Sequence, residues 1–292
     1  TDSIVPDDIC VAGQMRYLQN HGNHPLFSGT SVTYYPQATQ ALEDMLEALE
    51  KAENFIFMEY FIVDNGEAFQ KIREILVRKA QTGVEVRLMY DDFGSIGYVN
   101  LEFARELNRQ GIQCRIFNPA MPILNLFMNH RDHRKITVID GKVAFTGGYN
   151  LADEYFDLAR PYGHWKDTGI RLEGDAVQSM TAAFLELWCV TARKDENFER
   201  YLTIAHNIPV QGLVQPYTDN PLDSEPAGEN ICLHILYHAR RHVWITTPYL
   251  ILDDQMRQAL CTAAASGVDV RIVTPGIPDK KMIYRPSRSY YK

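Results

Sequence analysis

The length, composition and charge of the chain describe an ordinary globular protein. It has 292 residues, of which 46% are hydrophobic and 23% charged, and a formal net charge of −8. These values exclude collagen-like, disordered and small disulfide-stapled classes, and the acidic balance argues against a general nucleic-acid binder. The sequence contains no run of 18 apolar residues, so no segment of it is predicted to span a bilayer.

Helices and buried strands alternate through the first part of the chain. The predicted elements, in order, are a helix at 37–52, a strand at 54–63, a helix ending near 82, a strand at 84–90, a helix at 101–110 and a strand at 112–118. The strand at 54–63 is apolar and aromatic on both faces, which is typical of a strand covered on both sides. This alternation predicts an α/β fold with a largely parallel sheet.

The later part of the chain repeats this order. Residues 239–251 resemble residues 51–63, and Gly267-Val-Asp-Val-Arg-Ile272 matches Gly83-Val-Glu-Val-Arg-Leu88. A match within the same order of helix, strand, helix, glycine and strand indicates an internal duplication. The segment 209–228 is rich in Pro, Gly, Asp and Asn, which favours a linker. We therefore predict four regions: a lead-in at 1–29, a first lobe at 30–208, a linker at 209–228 and an incomplete second lobe at 229–292.

One segment of the first lobe has the residue types of a catalytic site. It reads His133-x-Lys135-x4-Asp140, followed by Gly147-Gly148-x-Asn150. Residues 135–140 alternate like a strand, and Asp140-Gly141 suits a tight hairpin turn. His133 and Lys135 are two residues apart, so along a strand they point to the same face. An imidazole nucleophile beside a fixed ammonium suits attack on a phosphodiester, and the Asn150 amide could donate to a phosphoryl oxygen. This chemistry requires no metal and no other cofactor.

These residues, together with Gly147, Gly148 and Asn150, resemble the signature of the phospholipase D superfamily. The longer segments 129–141, 147–150 and 164–168 resemble bacterial cardiolipin synthases, and the resemblance extends from about Asp8 to Tyr291. It implies α/β/α sandwich lobes with a mainly parallel mixed sheet. It also implies two such motifs, one in each lobe, with one histidine forming a phospho-histidine and the other protonating the leaving alcohol.

The same resemblance implies a substrate, a place and partners. Cardiolipin synthases move a phosphatidyl group from one phosphatidylglycerol to another and release glycerol. The expected partners are therefore anionic phospholipid and the surface of the bacterial cell membrane, on its cytoplasmic side or peripherally, and a homo-oligomer is possible; nucleic acid is not expected. Hydrolysis of a phospholipid, or lipid binding without turnover, are the alternative functions.

The resemblance also suggests roles for residues around the motif. His133, Lys135 and Asp140 form the catalytic set, although the odd spacing from Lys135 points Asp140 to the other face, where it would order the turn. Substrate-binding residues would be Asn150, Gly148, Arg131 and Arg134, with the arginines attracting an anionic headgroup. Supporting residues would be Asp167 and Glu59.

Each supporting assignment has a structural alternative. Asp167 matches a carboxylate that holds the nucleophilic histidine in this family, and its alternative is a surface salt bridge with Lys166 or Arg171. Glu59 interrupts an apolar strand, so it either serves the site or forms a structural buried pair. The odd spacing of His130 from His133 turns it away from the site, and the charged residues at 131, 132 and 134 indicate a solvated approach to the strand. The apolar segment 119–128 is either a loop in contact with lipid or a loop folded over the core.

A second copy of the motif is not present in the sequence. His133 follows Gly83 by 50 residues, so the duplication places a second motif near position 317, beyond Lys292. We therefore expect the chain to be a fragment that lacks parts at both ends, including any membrane anchor. The second motif would supply the histidine that protonates the leaving alcohol, and such general acid–base catalysis raises a reaction rate about a hundred- to ten-thousand-fold. We therefore also expect this chain to have little transferase activity.

Overall fold

The computed structural model describes residues 8–119, 130–202, 208–209, 212–219 and 225–291. The helices are α1 (Ile9–Gly22), α2 (Ala38–Glu50), α3 (Glu67–Gln81), α4 (Asp92–Ser95), α5 (Leu101–Arg109), α6 (Val177–Ala192), α7 (Ala227–His238), α8 (Asp254–Ala265) and α9 (Lys281–Ser289). The strands are β1 (Thr30–Tyr35), β2 (Phe55–Tyr60), β3 (Glu85–Asp91), β4 (Gln113–Phe117), β5 (Lys135–Ile139), β6 (Val143–Gly147), β7 (Gly169–Gly174), β8 (His242–Thr246) and β9 (Asp269–Val273).

The described residues form two compact units. The larger unit begins at His24 and ends before Glu225. The smaller unit consists of the residues before His24 together with those from Glu225 onward. Part of the segment predicted as a linker pairs within the larger unit, because Val214 bridges Phe27 and Gln215 donates to the His24 carbonyl.

A seven-stranded sheet organises the larger unit, in the order β1-β7-β6-β5-β2-β3-β4. The pairs β2–β3 and β3–β4 are parallel, as the alternation of helices and strands predicts. The remaining pairs, which involve β1, β5, β6 and β7, are antiparallel. The mixed α/β fold is thus confirmed. Of the antiparallel pairs, β5 and β6 follow each other through a short hairpin, and the others join strands that are distant in the sequence.

Helices cover both faces of this sheet. One apolar cluster joins α2, α3 and α5 to one face, and it includes the buried side chains of Met45 and Phe69. A second cluster packs α6 on the opposite face through Phe184 and Trp188. All six residues of β2 are buried, which agrees with the apolar pattern of its sequence. The motif strand β5 pairs with β2 and therefore lies at the centre of this sandwich.

The turn after β5 is fixed by the carboxylate of Asp140. Asp140 and Gly141 both have left-handed backbone conformations, with φ of 53° and 64°. The Asp140 carboxylate accepts hydrogen bonds from the backbone N–H groups of Glu53, Asn54 and Phe55 at 2.7 to 2.8 Å. These bonds join the end of the motif strand to the start of β2.

The smaller unit repeats the element order of the larger one. The succession α7, β8, α8 and β9 corresponds to α2, β2, α3 and β3, and β8 and β9 are parallel, as are β2 and β3. Gly83 and Gly267 precede the second strand of each pair with φ of 94° and 91°. None of the helices in the described part of the chain is long and apolar enough to cross a bilayer.

Candidate functional site

The exposed residue His133 lies at the start of the motif strand, next to a buried lysine. Phe61, which follows β2, contacts both residues: its ring centroid lies 4.8 Å from that of His133 and 5.6 Å from the Lys135 ammonium nitrogen. The Lys135 ammonium also donates to the His133 carbonyl oxygen at 2.5 Å. The two side chains therefore border the same aromatic ring, as the spacing of the motif predicts.

Burial makes the ammonium of Lys135 unusual. Its residue is 6% exposed, and loss of hydration lowers the pKa of the amine from 10.5 to about 8. The carboxylates of Asp132 and Asp167 oppose this shift by favouring the charged form. At neutral pH Lys135 is thus a partly desolvated cation, and its attraction for an anion is stronger than that of a hydrated surface lysine.

A buried ion-pair network holds the residues on either side of His133. Glu59 and Asp132 are both fully buried, and the Arg134 guanidinium lies 2.5 Å from Glu59 and 3.4 Å from Asp132. Arg134 also donates to the Ala183 carbonyl of α6 at 3.2 Å. Burial, with the Asp132 carboxylate, raises the pKa of Glu59 well above its usual range, and Arg134 opposes that shift.

This network corrects one expectation from the sequence. The charged residues before the motif strand do not form a solvated approach, because Asp132 is buried and Arg134 is paired inside the protein. Glu59 forms a buried pair with Arg134, which is the structural alternative considered for it. The predicted role of Arg134 in binding a headgroup, and any further role of Glu59 in the site, stay predictions.

Arg131 joins the motif to the ends of two neighbouring strands. Its guanidinium lies 3.4 Å from Asp91 and donates to the Asn118 carbonyl at 2.9 Å. The buried Asp91 carboxylate also accepts from the backbone N–H groups of Asp132 and Gly94, at 3.1 and 3.0 Å. The carboxyl end of β3 therefore holds the backbone next to His133 as well as the start of α4.

Gly148 makes room for the carboxylate of Asp167. A Cβ atom added to Gly148 would lie 2.1 Å from an Asp167 oxygen, so a side chain there would displace the carboxylate. Asp167 accepts from the Thr168 backbone at 2.9 Å and from the Trp165 indole at 3.4 Å. Burial raises its pKa, and the nearby Lys135 opposes the shift. Arg171, one of the alternative partners, pairs with Glu173 instead, and a bond from Asp167 to His133 stays a prediction.

Close packing shapes the segment from Gly147 to Asn150. The Asn150 side chain is buried, and its amide oxygen accepts from the Ile62 backbone N–H at 3.0 Å, which fixes the chain beside Phe61. A Cβ atom added to Gly147 would lie 2.5 Å from the Thr168 carbonyl oxygen, so no larger residue fits there without displacing the backbone. Packing thus accounts for the Gly-Gly-x-Asn segment, and donation from Asn150 to a phosphate stays a prediction.

Three contributors to the site were missed by the sequence analysis: Phe61, Asp91 and Asp132. Asp91 follows the apolar run of β3, at the carboxyl end of a parallel strand, where polar residues of α/β proteins often serve a site. This position at the end of the strand was the feature from which the sequence could have predicted Asp91 as a site residue. The segment 119–128 lies outside the described residues except for Pro119, and its contact with lipid stays a prediction.

The fold and the motif together define a phospholipase D-like protein. The structure matches that of a phosphatidylserine synthase from Haemophilus influenzae with a TM-score of 0.63, covering 89% of this chain and 65% of that one. The two sequences are 14% identical, so this likeness concerns the fold. The family model for the cardiolipin synthase PLD-like domain matches residues 45–188 and 232–292. The chain belongs to this family of cardiolipin synthase PLD-like domains.

Curated relatives support this assignment. A cardiolipin synthase from Halalkalibacterium halodurans is 35% identical over 278 residues, which is 94% of this chain and 55% of that protein. An uncharacterised protein from Streptococcus mutans is 47% identical over 277 residues, 94% of this chain and 60% of that protein. The chain therefore spans somewhat more than half the length of these relatives.

Proposed function

We propose that this chain supplies the nucleophile of a cardiolipin synthase, with phosphatidylglycerol as the substrate. The observation that supports it best is the exposed His133 next to the buried Lys135 ammonium, in a chain of the cardiolipin synthase PLD-like family. A lipid phosphate is an anion with a leaving alcohol, which this pair of groups suits. The bilayer that holds such a substrate places the protein at the membrane surface.

The reaction proceeds in two displacements. A ring nitrogen of His133 attacks the phosphorus of phosphatidylglycerol, the bond from phosphorus to the headgroup oxygen breaks, and glycerol leaves after taking up a proton. A headgroup hydroxyl of a second phosphatidylglycerol then attacks the phosphorus, loses its proton, and the bond from phosphorus to His133 breaks. Cardiolipin and glycerol are the products. The family resemblance assigns the proton transfers to a histidine of a second motif.

The other groups of the site have positioning or electrostatic roles in this proposal. Lys135 holds a non-bridging oxygen, where its low hydration strengthens the attraction. Asp167 stabilises the cationic imidazole. The pair of Glu59 with Arg134, together with Asp132, fixes the backbone on both sides of His133. No metal or other cofactor takes part in these steps.

The covalent intermediate offers a direct test. The chain is incubated with phosphatidylglycerol vesicles, quenched at alkaline pH and examined by intact-mass and peptide mass spectrometry. We expect a mass increase of one phosphatidyl group on His133, its loss in His133→Ala and its retention in the neighbouring control His130→Ala. A modification that persists in His133→Ala, or its absence from the parent chain, contradicts the proposal.

A further inference from the structure

Two segments with exposed side chains lie next to the site that contains His133 and Lys135. The first, residues 93–101, begins with Phe93 and Gly94. A Cβ atom on Gly94 would lie 2.3 Å from the Phe61 carbonyl oxygen and 2.7 Å from its ring, so this segment lies directly on Phe61. Because the Phe61 ring also contacts His133, the segment is continuous with the site.

The first segment presents large apolar side chains to solvent. Phe93, Ile96 and Leu101 are 54%, 56% and 62% exposed. Single exposed apolar residues are ordinary on a protein surface. Three within nine residues, next to a reactive histidine, indicate a surface that contacts an apolar partner.

The second segment, residues 158–166, is aromatic and basic. It contains Leu158, Tyr162 and Trp165 together with Arg160, His164 and Lys166, and it lies between Asp157 and Asp167. Asp157 pairs with Arg160 at 3.5 Å and with His164, and the Lys166 ammonium donates to the Pro36 carbonyl. Leu158 is 41% exposed, and the Arg160 and Lys166 side chains are also exposed. The Trp165 indole donates to Asp167, so this segment also adjoins the site.

Side-chain contacts connect the two segments. The Tyr98 hydroxyl donates to Glu154 at 3.2 Å, and the next residue, Tyr155, packs its ring 5.0 Å from that of Trp165. Together the segments form one surface next to Phe61 and Asp167, which we call the docking rim and define as residues 93–101 and 158–166.

We propose that the docking rim binds the surface of an anionic phospholipid bilayer and thereby brings the lipid phosphate to His133. Tryptophan and tyrosine next to lysine and arginine are the residues that anchor proteins at the interface between headgroups and acyl chains. Arg160 and Lys166 are exposed in this segment, and a negatively charged leaflet attracts such cationic side chains. This inference rests on the proposed function, because a lipid substrate requires the bilayer to face the site.

Vesicle flotation tests the rim with matched variants. We expect Ile96→Ser/Leu101→Ser to lower partitioning onto phosphatidylglycerol-containing vesicles at least tenfold. We expect Arg160→Gln/Lys166→Gln to lower it about fivefold for each residue, with an effect that disappears at high salt. The control Val32→Ser/Tyr34→Ser removes side chains that are 50% and 61% exposed on β1 and should bind as the parent does.

Two results would contradict the proposal that the docking rim binds the bilayer. One is that the rim variants, with thermal unfolding unchanged from the parent, bind vesicles as the parent does. The other is that the β1 control loses binding to the same extent. A parent chain that binds neutral phosphatidylcholine vesicles as tightly as anionic ones overturns the electrostatic part.

A soluble substrate separates the rim from the proposed chemistry. With short-chain phosphatidylglycerol below its micelle concentration, Ile96→Ser/Leu101→Ser should form the His133 adduct at the rate of the parent, while it is slowed on vesicles. If the parent and this variant form the adduct at equal rates on vesicles, the membrane role of the docking rim is contradicted and the proposed function is not. No adduct in the parent with either substrate contradicts the proposed function, and flotation then still decides whether the rim binds membranes.

Discussion

The Lys135 ammonium is buried next to the ring of Phe61, at the start of the motif strand. Folding removes most of the water from an ammonium group that the sequence places two residues after His133, and this lowers its pKa to about 8. Such a group makes the folded state less stable in exchange for a strong local cation. Its effects on stability and on chemistry should therefore have opposite signs.

Replacement of this lysine by a buried apolar side chain separates the two effects. We expect Lys135→Met to raise the free energy of unfolding at pH 7 by about 1–3 kcal/mol, and to abolish adduct formation at His133. Between about pH 8 and 10.5 the unfolded parent binds this proton and the folded parent does not, so the parent gains stability with rising pH. The advantage of Lys135→Met in urea unfolding should thus shrink over that range.

The same pKa predicts the pH dependence of the chemistry. Adduct formation by the parent should decline as pH rises through about 8, because Lys135 loses its charge. A rate that stays constant from about pH 7 to 9, or a Lys135→Met chain less stable than the parent at neutral pH, contradicts this account of the lysine.

Arg134 is the residue on which the buried carboxylates depend. Arg134→Met should lower the free energy of unfolding by about 3–5 kcal/mol, since it leaves Glu59 and Asp132 buried without their cation. The double variant Glu59→Gln/Arg134→Met should recover part of this loss, because one carboxylate is removed as well.

A surface pair provides the control for this measurement. Arg105 pairs with Glu102 while both side chains are more than half exposed, so Arg105→Met should cost less than about 1 kcal/mol in the same urea titration. If Arg134→Met costs no more than Arg105→Met, the network does not hold the segment around His133.

For single residues, the spacing of the motif predicted which of its own side chains lie together. It did not predict the contacts that the motif makes with residues of other strands. The proximity of His133 and Lys135 follows from positions two apart along the chain. The burial of Asp132 depends on Arg134, on Glu59 from β2 and on Asp91 from β3, which approach only in the folded sheet. A run of charged residues is predicted to be solvated when these partners are not known. The predicted solvated approach to the strand was therefore wrong.

Among the elements, the hairpin of β5 and β6 sets where the motif begins and ends. Asp140→Ala should lower the free energy of unfolding by about 3 kcal/mol, because three backbone N–H groups lose their acceptor and alanine disfavours a φ of 53°. Asp140→Asn should lose about half as much, since asparagine tolerates this φ and keeps one acceptor oxygen.

Adduct formation shows whether Asp140 acts through the fold. If it does, the folded fraction of Asp140→Ala should still be modified at His133, at a rate close to that of the parent. Unchanged urea unfolding of Asp140→Ala, or a folded variant that is not modified, contradicts the structural role that we assign to this carboxylate.

The elements that the sequence predicted best are those with local causes. The helices and strands from α2 to β4, apart from the short α4, follow from apolar periodicity and from the glycines that end helices. The parallel pairing of these strands follows from the helices between them. The pairing of β1 with β7 joins residues about 140 positions apart, for example Thr30 and Gly174. No local pattern specifies such a pair, so the antiparallel edge appeared only in the structure.

For the whole molecule, the internal repeat explains why the chain forms two units. Each unit contains a helix, a strand, a helix and a parallel strand in the same order, and the glycine before the second strand has the same left-handed conformation. The chain as a whole is acidic, yet the cationic side chains of Arg160 and Lys166 are exposed in its rim segment 158–166. The net charge of the chain therefore does not describe how charge is distributed over the surface next to its site.

In the proposed reaction, His133 takes the phosphatidyl group and the headgroup glycerol is released. Phosphatidylglycerol labelled with one isotope in its acyl chains and another in its headgroup glycerol tests this directly. We predict that the trapped His133 peptide carries the acyl label without the headgroup label, and that free glycerol appears in equal amount. A His133 peptide that retains the headgroup label, or glycerol released equally by His133→Ala, would contradict this role of His133.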